Sequence, residues 1–247
     1  MNLSFERYQR QMLVSGFGAE GQEKLTNARV LVVGAGGLGS PVLQYLTGAG
    51  IGTIGIADAD VVSVSNLHRQ ILHPEENVGI NKAESAAMQL KKLNDQVAFH
   101  TYPYFITSEN IDEILTDYDF VVLCVDNFEA RFIINDACVR AGKPFSHGGV
   151  VAMNGQVMTY VPGQGPCYRC IFEEVPEPGT VPTSSEVGII GPAAGVIGNL
   201  QALEVIKYFT GMGTLLTGQM LTFDLMTMKS RIVKFPSKNP ECKACGK

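Results

Sequence analysis

A glycine-rich loop is the first feature of this sequence that could do chemistry. The segment RVLVVGAGGLGS (29–40) contains Gly34-x-Gly36-x-x-Gly39, in which Gly34 permits a tight turn and Gly36 lets the backbone approach a phosphate. Gly39 lets the following helix pack closely against the strand. Asp58 follows Gly39 by 19 residues, the spacing at which an acidic residue commonly binds a ribose. The pattern predicts a nucleotide site, but alone it does not distinguish NAD from other nucleotides.

Charged and amide side chains beyond this loop favour one class of reaction. Asn66 and Arg69 come soon after Asp58, Lys82 begins a predicted helix, and Asp126 ends a later predicted strand. We expect them in the crevice at the carboxyl ends of parallel strands. Phosphoryl or nucleotidyl transfer needs several cations beside the phosphates, because charge develops on their oxygens, whereas hydride transfer does not. Asp126 could also hold the Mg²⁺ that accompanies a triphosphate. Taken singly, Lys82 is as consistent with a solvated lysine at a helix start as with a site residue. Asp126 is likewise as consistent with a helix cap as with a site residue.

Four of the six cysteines form two C-x-x-C pairs, Cys167/Cys170 and Cys242/Cys245. Together they could supply the four thiolates of a tetrahedral Zn²⁺ site, and four protein ligands favour a structural role. Because 71 residues separate Cys170 from Cys242, the site would join distant parts of the chain. A redox dithiol is the alternative. We rank it lower, since neither pair starts a predicted helix after a strand in a thioredoxin-like unit.

The remaining cysteines and the histidines carry no comparable signal. Cys124 and Cys138 lie on a predicted core strand and a predicted helix, where buried, unreactive cysteine is the usual case. The histidines show no ligand spacing to one another, so a structural or surface role is expected for His68, His73, His100 and His147.

The elements that must position these residues alternate between strand and helix over the first part of the chain. Such alternation builds a parallel sheet. Predicted strands are 29–34, roughly 53–57, 97–102 and 120–125. Predicted helices run from the Ser40 N-cap and Pro41 to near Gly48, and over 82–93, 109–116 and roughly 129–141.

The pattern changes after residue 145. Residues 145–161 predict two strands around Asn154-Gly155, a dipeptide favoured in tight hairpins. Residues 171–188 are rich in Pro, Gly, Ser and Glu, and we expect an exposed, mobile crossing loop. A helix with Val196, Leu200, Leu203 and Ile206 on one face follows. Predicted strands at 219–224 and 230–235 precede a cysteine-bearing tail. The fold class is therefore α/β: a Rossmann-like, mostly parallel sheet with helices on both faces, continued by antiparallel strands.

Composition narrows the class of protein. The 247 residues are 45% hydrophobic and 17% charged, with a net charge of −5, which is ordinary for a globular protein with a sizeable core. No clustered basic surface is indicated, so no nucleic-acid partner is expected. No apolar run approaches the ~18 residues that span a bilayer, and the polar N-terminus lacks a signal-peptide core. We expect a cytoplasmic protein with reduced cysteines.

The motifs together resemble the ThiF/MoeB/HesA adenylyltransferases, the bacterial relatives of ubiquitin-activating enzymes. The resemblance covers nearly the whole chain, in order and at fitting spacing. Besides Lys82 and the two C-x-x-C pairs, it rests on RYQRQ (7–11), VGAGGLGS (33–40), DADVVSVSNLHRQ (58–70), CVDN (124–127) and GPAAGVIGNLQALEVIKYFTG (191–211).

The resemblance implies a reaction that consumes Mg²⁺-ATP. The C-terminal glycine carboxylate of a small ubiquitin-like sulfur-carrier protein, ending in Gly-Gly, would attack the α-phosphorus, giving an acyl-adenylate and pyrophosphate. The pathway would be sulfur-containing cofactor biosynthesis of the molybdopterin or thiamin type. By position, Gly37 would lie near the phosphates and Asp58 would bind the ribose. Asn66, Arg69 and Lys82 would contact the phosphates and the developing charge, and Asp126 would serve Mg²⁺ and the reacting centre.

The resemblance also implies an assembly and a domain plan. Arg10 would reach the active site of a neighbouring subunit, which implies a homodimer with composite sites. The four paired cysteines would hold structural Zn²⁺. We expect one adenylating domain over 1–247, with a nucleotide-binding half (1–165) and a half (166–247) that contains the crossing loop, the zinc site and the carrier-binding surface.

One position departs from the family pattern. Some members have a cysteine in the crossing loop that joins covalently to the carrier, whereas here the loop contains Ser184 at that position. A serine hydroxyl is barely ionised at neutral pH and is a poor replacement for a thiolate. The hypothesis is that the protein stops at the adenylate and that a separate protein supplies sulfur. The absence of this cysteine slightly favours the molybdopterin-type pathway.

Three alternatives remain at this point. An NAD-dependent oxidoreductase would use the same glycine loop, although the cations and the family motifs disfavour it. A degenerate scaffold that binds a carrier without activating it should have lost polar site residues, and these are present. A relative could instead adenylate another carboxylate, a peptide, or a carbamoyl group on tRNA, the last being disfavoured by the acidic charge.

Overall fold

A single eight-stranded sheet organises the fold. The computed structural model describes residues 3–177, 179–235 and 237–246. The strands are β1 Arg29–Val33, β2 Thr53–Ala57, β3 Ala98–Tyr102, β4 Phe120–Leu123, β5 Phe145–Val151, β6 Asn154–Tyr160, β7 Gln219–Asp224 and β8 Lys229–Lys234. Their order across the sheet is β3-β2-β1-β4-β5-β6-β7-β8.

Helices cover both faces of this sheet. The helices described are α1 Leu3–Met12, α2 Gly18–Asn27, α3 Gly39–Ala49, α4 Lys82–Leu93, α5 Ile111–Leu115, α6 Phe128–Ala141, α7 Tyr168–Ile171, α8 Ser184–Val187 and α9 Gly191–Thr210, with short 3₁₀ turns at Val64–Asn66 and Glu75–Asn77. None of these helices combines the length and hydrophobicity that crossing a membrane requires.

The predicted mixed α/β sheet is confirmed. Strands β1 to β5 pair in parallel, and β6, β7 and β8 continue the sheet in antiparallel pairs. Side chains of β1 enter two cores in alternation, with Val30 and Val32 on the side of α3, α4 and α9, and Leu31 and Val33 on the side of α5 and α6. Because both faces are buried, the inner parallel strands are continuously apolar.

Two glycines fix the turn from β1 into α3. Gly34 has φ of +98°, and a Cβ there would lie 2.6 Å from the Cys124 carbonyl oxygen. A Cβ on Gly39 would lie 2.0 Å from the Gly34 carbonyl oxygen. Any other residue at these positions would therefore push the loop away from the sheet. The prediction of Ser40 as N-cap is wrong: the helix begins at Gly39, and the Ser40 hydroxyl donates to the Gly36 carbonyl at 2.8 Å.

The hairpin between β5 and β6 is correctly predicted, but its turn is not at Asn154-Gly155. Asn154 pairs with Val151 inside the ladder, so the connection consists of Ala152 and Met153. Ala152 accepts a φ of +51° although it is not glycine. A Cβ on Gly155 would lie 2.3 Å from the Ile197 side chain, so this glycine serves packing against α9 rather than the turn.

Helix α9 packs beneath β5 and β6 with only part of the apolar face that the sequence singles out. On that face Leu200 and Ile206 pack against the core, whereas Val196 and Leu203 are exposed. The fully buried residues include Ala194, Ile197 and Gln201. The Gln201 amide donates to the carbonyls of Leu123 and Ser146, which ties α9 to two strands. Small residues and one amide allow the close approach that larger side chains would prevent.

The predicted crossing loop, 171–188, is largely irregular and exposed in its described part. Apart from Ile171, the last residue of α7, the described part of this loop contains one helix, α8. The side chain of Ser184, the position of interest at sequence level, lies outside the described residues.

Candidate active site

A crevice of about 240 Å³ lies at the carboxyl ends of the parallel strands. Seven residues that the sequence selects for a nucleotide site line it together: Gly34, Gly36, Gly37, Asp58, Arg69, Lys82 and Asp126. Gly39 and Asn66 do not line this crevice, and Arg10 lies exposed on α1 outside it. The described residues therefore bring most of the predicted set to one place.

Asp58 connects the end of β2 to the glycine loop. Its carboxylate accepts from the backbone N–H groups of Ala35 at 2.8 Å and Asp60 at 2.9 Å. Burial raises the pKa of Asp58, and the positive charge of Lys82 together with these two N–H groups opposes the rise. The carboxylate is thus held in place beside the loop before any ligand binds.

Lys82 is buried, with 5% of its surface exposed, so the solvated-lysine interpretation is wrong. Its ammonium contacts the Asp60 carboxylate at 2.8 Å. The preceding residue, Asn81, caps α4 by accepting from the N–H groups of Ala83 and Glu84, and its amide donates to the carbonyls of Asp58 and Asp60. The helix start therefore delivers a fixed cation into the crevice.

A buried histidine supports the glycine loop from behind. The ring nitrogens of His73 contact the Ala35 carbonyl at 2.8 Å and the Ser85 hydroxyl at 2.9 Å. Asn77 donates to the same hydroxyl. Burial lowers the pKa of His73, so the neutral ring, donating to Ala35 and accepting from Ser85, fits the network. No sequence signal distinguishes this histidine from the other three.

Arg69 and Gln70 face the loop from the segment that follows β2. The Arg69 guanidinium donates to the Ser65 carbonyl and contacts the exposed ring of His68. Gln70 is 5% exposed and packs against Gly36, and within the described part of the chain its Oε1 is buried without a hydrogen-bond partner. Gln70 is a crevice residue that the sequence interpretation did not select.

The residues after β4 decide whether Asp126 caps a helix or serves the candidate site. Asn127 is the N-cap of α6 and accepts from the N–H of Ala130 at 2.7 Å. The helix-cap role therefore belongs to Asn127. Asp126 is exposed and makes no ion pair with any residue that the structure describes. Its carboxylate is available to a metal ion or a substrate.

A second, larger cavity of about 640 Å³ adjoins the crevice. It extends over β5, β6, β7 and β8 and is covered by crossing-loop residues such as Phe172, Val181 and Pro182. Asp126, Arg131 and Val150 line both cavities. We refer to these three residues as the shared rim.

Arg131 is the most informative residue that the sequence interpretation missed. It lies on α6 and is 8% exposed, and its guanidinium packs over the Phe128 ring at 4.9 Å. It donates to the Val125 carbonyl at 3.3 Å and forms no ion pair in the described part of the chain. A buried cation without a carboxylate partner is costly and favours an anionic ligand. Arg131 lies within α6 and belongs to no recognised motif, so nothing in the sequence marked it as a site residue.

The two C-x-x-C pairs meet as predicted. The sulfurs of Cys167, Cys170, Cys242 and Cys245 all lie within 4.8 Å of one another. The separations include 3.7 Å for Cys167–Cys242 and 3.9 Å for Cys167–Cys170. Tetrahedral Zn²⁺ with bonds of about 2.3 Å places its sulfurs about 3.8 Å apart, so these residues fit the ion. Contrary to the sequence interpretation, Cys167 does lie at the start of a short helix.

Comparison with known proteins places the chain in a family. The family model described as "ThiF family" matches residues 8–244. The chain belongs to the ThiF family. The resemblance drawn from its motifs is thereby confirmed.

Among curated ThiF-family relatives, the sulfur carrier protein adenylyltransferase of Thermus thermophilus is 46% identical over 98% of this chain and 90% of its own length. The adenylyltransferase and sulfurtransferase MOCS3 of Dictyostelium discoideum is 46% identical over 98% of this chain and 57% of its own length. The corresponding values for MOCS3 of Drosophila persimilis are 44%, 99% and 54%. The chain thus spans about half the length of the MOCS3 relatives.

Solved structures of E. coli MccB have the same fold. MccB with ATP matches at a TM-score of 0.85 and 28% identity, covering 98% of this chain and 75% of MccB. MccB with MccA-N7isoASN matches at a TM-score of 0.87 and 28% identity, covering 100% of this chain and 76% of MccB.

Proposed function

We propose that this protein uses ATP to adenylate the C-terminal glycine carboxylate of a small ubiquitin-like sulfur-carrier protein. The observation that carries the proposal is the shared rim, where a nucleotide-type crevice and a longer cavity over the antiparallel strands meet. A reaction between a nucleotide and a second, extended substrate needs two sites that share the reacting centre. The relatives named adenylyltransferases support the same activity.

On the nucleotide side, each crevice residue has a proposed role. The loop from Gly34 to Gly39 receives the phosphates at the start of α3, where backbone N–H groups favour anions. Asp58 binds ribose hydroxyls with the lone pairs that its two backbone hydrogen bonds leave free. Arg69 and Lys82 neutralise phosphate charge, and Asn66 contacts the phosphates once a ligand draws its segment inward. Mg²⁺ would neutralise phosphate oxygens when bound, and the Asp126 carboxylate, which has no ion-pair partner among the described residues, would help to hold it.

On the other side of the shared rim, the larger cavity accepts the carrier's C-terminal tail. Two terminal glycines carry no side chains, so an extended tail fits between the crossing loop and the sheet. Its carboxylate would arrive beside Arg131, the buried cation that has no ion-pair partner among the described residues. Fixed positive charge at this point offsets the repulsion between a carboxylate and a triphosphate.

The proposed chemical step balances without a further reagent. A carboxylate oxygen forms a bond to the α-phosphorus, and the bond from that phosphorus to the bridging oxygen of the β-phosphate breaks. Pyrophosphate leaves with the electron pair, and the carrier is left as an acyl-adenylate. Arg69 and Lys82 hold the leaving group, while Arg131 orients the attacking oxygen. The crossing loop, closing over the cavity, would exclude water from the acyl-adenylate.

The product belongs to the biosynthesis of sulfur-containing cofactors, of the molybdopterin or thiamin type. No cysteine occurs between residues 171 and 188, and Ser184 occupies the position where a covalent carrier adduct would form. We therefore expect release of the acyl-adenylate to a separate sulfur donor protein. Intact-mass spectrometry would overturn this step by detecting a covalent adduct between this chain and the carrier.

Two structural features of the family complete the proposal. Cys167, Cys170, Cys242 and Cys245 would hold structural Zn²⁺, which fixes the C-terminal tail against α7. The protein would form a homodimer in which Arg10 reaches the neighbouring crevice. Exposed apolar side chains on α3 and α9, including Tyr45 and Leu203, support such an interface. We also retain the division into halves 1–165 and 166–247, with β5 and β6 of the first half contributing to the second cavity.

The test is ATP–pyrophosphate exchange with a panel of purified carriers ending in Gly-Gly, of both molybdopterin and thiamin type. We expect exchange with at least one carrier and none when its terminal carboxylate is converted to an amide, because the attacking oxygen is then lost. We also expect thermal stabilisation by Mg²⁺-ATP but not by NAD. Stabilisation by NAD alone, or ATP stabilisation with no exchange for any carrier, would contradict the proposed function.

The MccB structures favour a second candidate substrate. MccB has been solved with MccA, and MccB is 27% identical to this chain over 98% of this chain's length. Adenylation of a free peptide is therefore the alternative for the larger cavity. Exchange stimulated by short peptides but by no folded carrier would support this second candidate against the first.

A further inference from the structure

A tyrosine inside the first C-x-x-C pair reaches the wall of the larger cavity. Tyr168 lies between Cys167 and Cys170 in the chain, is 1% exposed, and lines the cavity together with Arg131. It begins α7, a helix of four residues. A helix of a single turn has little stability of its own, so the position of Tyr168 is set by the groups around it.

Helix α6 fixes the backbone of this turn. The side chain of Asn135 is fully buried and accepts from the N–H of Tyr168 at 2.9 Å. Arg169 donates two hydrogen bonds to the carboxylate of Asp136, at 2.9 and 2.6 Å. Paired charged hydrogen bonds of this kind hold both partners in one orientation. The turn therefore has a fixed position relative to α6.

Aromatic side chains surround the ring of Tyr168. Phe132 of α6 stands edge-on to it with centroids 5.3 Å apart, and His147 of β5 stands edge-on at 4.7 Å. Phe172, the first crossing-loop residue after α7, lies at 4.8 Å. Edge-on aromatic pairs stabilise beyond the area that they bury. The ring is therefore packed between the sheet, α6 and the crossing loop.

Arg131 lies beside this ring and is otherwise weakly held. It precedes Asn135 by four residues, so both side chains stand on one face of α6. Its guanidinium donates to the Val125 carbonyl through two nitrogens, each at 3.3 Å, which is longer than a typical hydrogen bond. Burial raises the pKa of Tyr168, and the positive charge of Arg131 opposes the rise, so the guanidinium lies near the phenol.

We propose that Tyr168 is a positioning residue that keeps the Arg131 guanidinium at the shared rim, where the carrier carboxylate arrives. The inference rests on the proposed function and adds the residue that sets where the attacking carboxylate binds. The phenol oxygen accepts from the guanidinium, and the remaining N–H groups stay available to the carboxylate. Tyr168 lines the larger cavity and not the crevice, so it serves the carrier side of the reaction.

The test compares two substrates in Tyr168→Phe, which keeps the packed ring and removes only the hydroxyl. In ATP–pyrophosphate exchange, kcat/KM for the carrier should fall about fivefold, less than for loss of a direct charged hydrogen bond, because the guanidinium remains. The dissociation constant for Mg²⁺-ATP, measured by calorimetry, should stay within about twofold. Added to Arg131→Met, Tyr168→Phe should lower kcat/KM by less than about twofold more, because no guanidinium is left to position.

Tyr160→Phe is the matched control, since Tyr160 is 3% exposed in the same hydrophobic core and lines neither cavity. It should leave both quantities unchanged, and thermal denaturation checks that every variant is folded.

Four outcomes would contradict the inference. Unchanged carrier kcat/KM in Tyr168→Phe, with wild-type protein supporting exchange, would overturn the positioning role and leave the proposed function standing. Equal losses for carrier and ATP would also overturn it. So would a full fivefold loss in the Arg131→Met background, because Tyr168 would then act on the carrier without the guanidinium. Wild-type protein that supports exchange with no carrier would overturn both the inference and the proposed function.

Discussion

Two buried histidines lie behind the two cavities, and their surroundings differ. His73, behind the crevice, has both ring nitrogens hydrogen-bonded, one of them to the glycine loop. His147, behind the larger cavity, has neither nitrogen hydrogen-bonded to any residue that the structure describes. Its ring packs edge-on against Tyr168, a residue of that cavity's wall, with centroids 4.7 Å apart.

The walls of the cavities show the same contrast. In the crevice, Asp58 accepts two backbone hydrogen bonds and Lys82 forms an ion pair with Asp60. At the shared rim, neither Asp126 nor Arg131 forms an ion pair with a described residue. The crevice is organised before its ligand binds, whereas the shared rim leaves opposite charges for ligands to satisfy. Preorganised polar groups give catalytic advantage, so the comparison predicts where substitutions act on binding and where they act on the reaction.

Asp126→Ala gives the strongest test of whether the two cavities share one reacting centre. If the two cavities share one reacting centre, losing this carboxylate should reduce ATP–pyrophosphate exchange by on the order of 10²- to 10³-fold or more. Because Asp126 is exposed and caps no helix, the melting temperature should not change. The measurement is exchange under saturating ATP and carrier, together with thermal denaturation.

Asp95→Ala provides the control for Asp126, since Asp95 is an exposed aspartate that lines neither cavity. It should keep the wild-type rate. Near-normal exchange in Asp126→Ala would remove Asp126 from the reacting centre and would leave the two cavities functionally separate.

Arg131→Met sharpens the comparison by asking which cavity the buried cation serves. Methionine keeps an unbranched apolar side chain of similar length but removes the guanidinium that packs over Phe128, and the charge with it. If Arg131 receives the carrier carboxylate, kcat/KM for the carrier should fall about 10- to 100-fold, as expected for the loss of a charged hydrogen bond. The dissociation constant for Mg²⁺-ATP should stay within about twofold.

Arg131→Lys is the companion variant, because lysine retains the charge without the planar two-pronged geometry. It should recover only part of the loss. An equal loss of ATP affinity and carrier kcat/KM in Arg131→Met would instead assign the cation to the crevice, and the contrast between the cavities would be smaller than we infer.

The crevice was largely predictable from the sequence because its residues are close to strand ends. Gly34, Asp58 and Asp126 each follow an apolar segment directly, and the carboxyl ends of parallel strands necessarily share one edge. The paired cysteines were predictable for a different reason, since their spacing alone matches a four-thiolate site. In both cases a local pattern encodes a tertiary arrangement.

The larger cavity was not predictable, because its lining comes from β5, β6, α6, α7, the crossing loop, β7 and β8. No local pattern links residues so far apart in the chain. Arg131 resembles any helix arginine until the fold buries it. The hairpin turn was misplaced for a related reason: Asn154-Gly155 has strong turn propensity, but Gly155 is needed where Ile197 of α9 approaches the sheet.

The smallest expected effect tests the histidine contrast through pH. Burial, and then the nearby charge of Arg131, holds the pKa of His147 well below its usual value of 6.5. The unfolded chain takes up a proton as pH falls through 6.5 and the folded chain does not, so the free energy of unfolding should decrease below that pH. His147→Gln should reduce the decrease between pH 8 and pH 5.5 by about 1 kcal/mol, measured by urea unfolding at each pH. His73→Gln should also reduce the decrease, because burial lowers the pKa of His73 as well. It should differ from His147→Gln by losing stability at every pH, because His73 has hydrogen bonds to lose. A His147→Gln protein with the wild-type pH dependence would mean that the larger cavity's histidine is satisfied by solvent, and the contrast between the two histidines would fail.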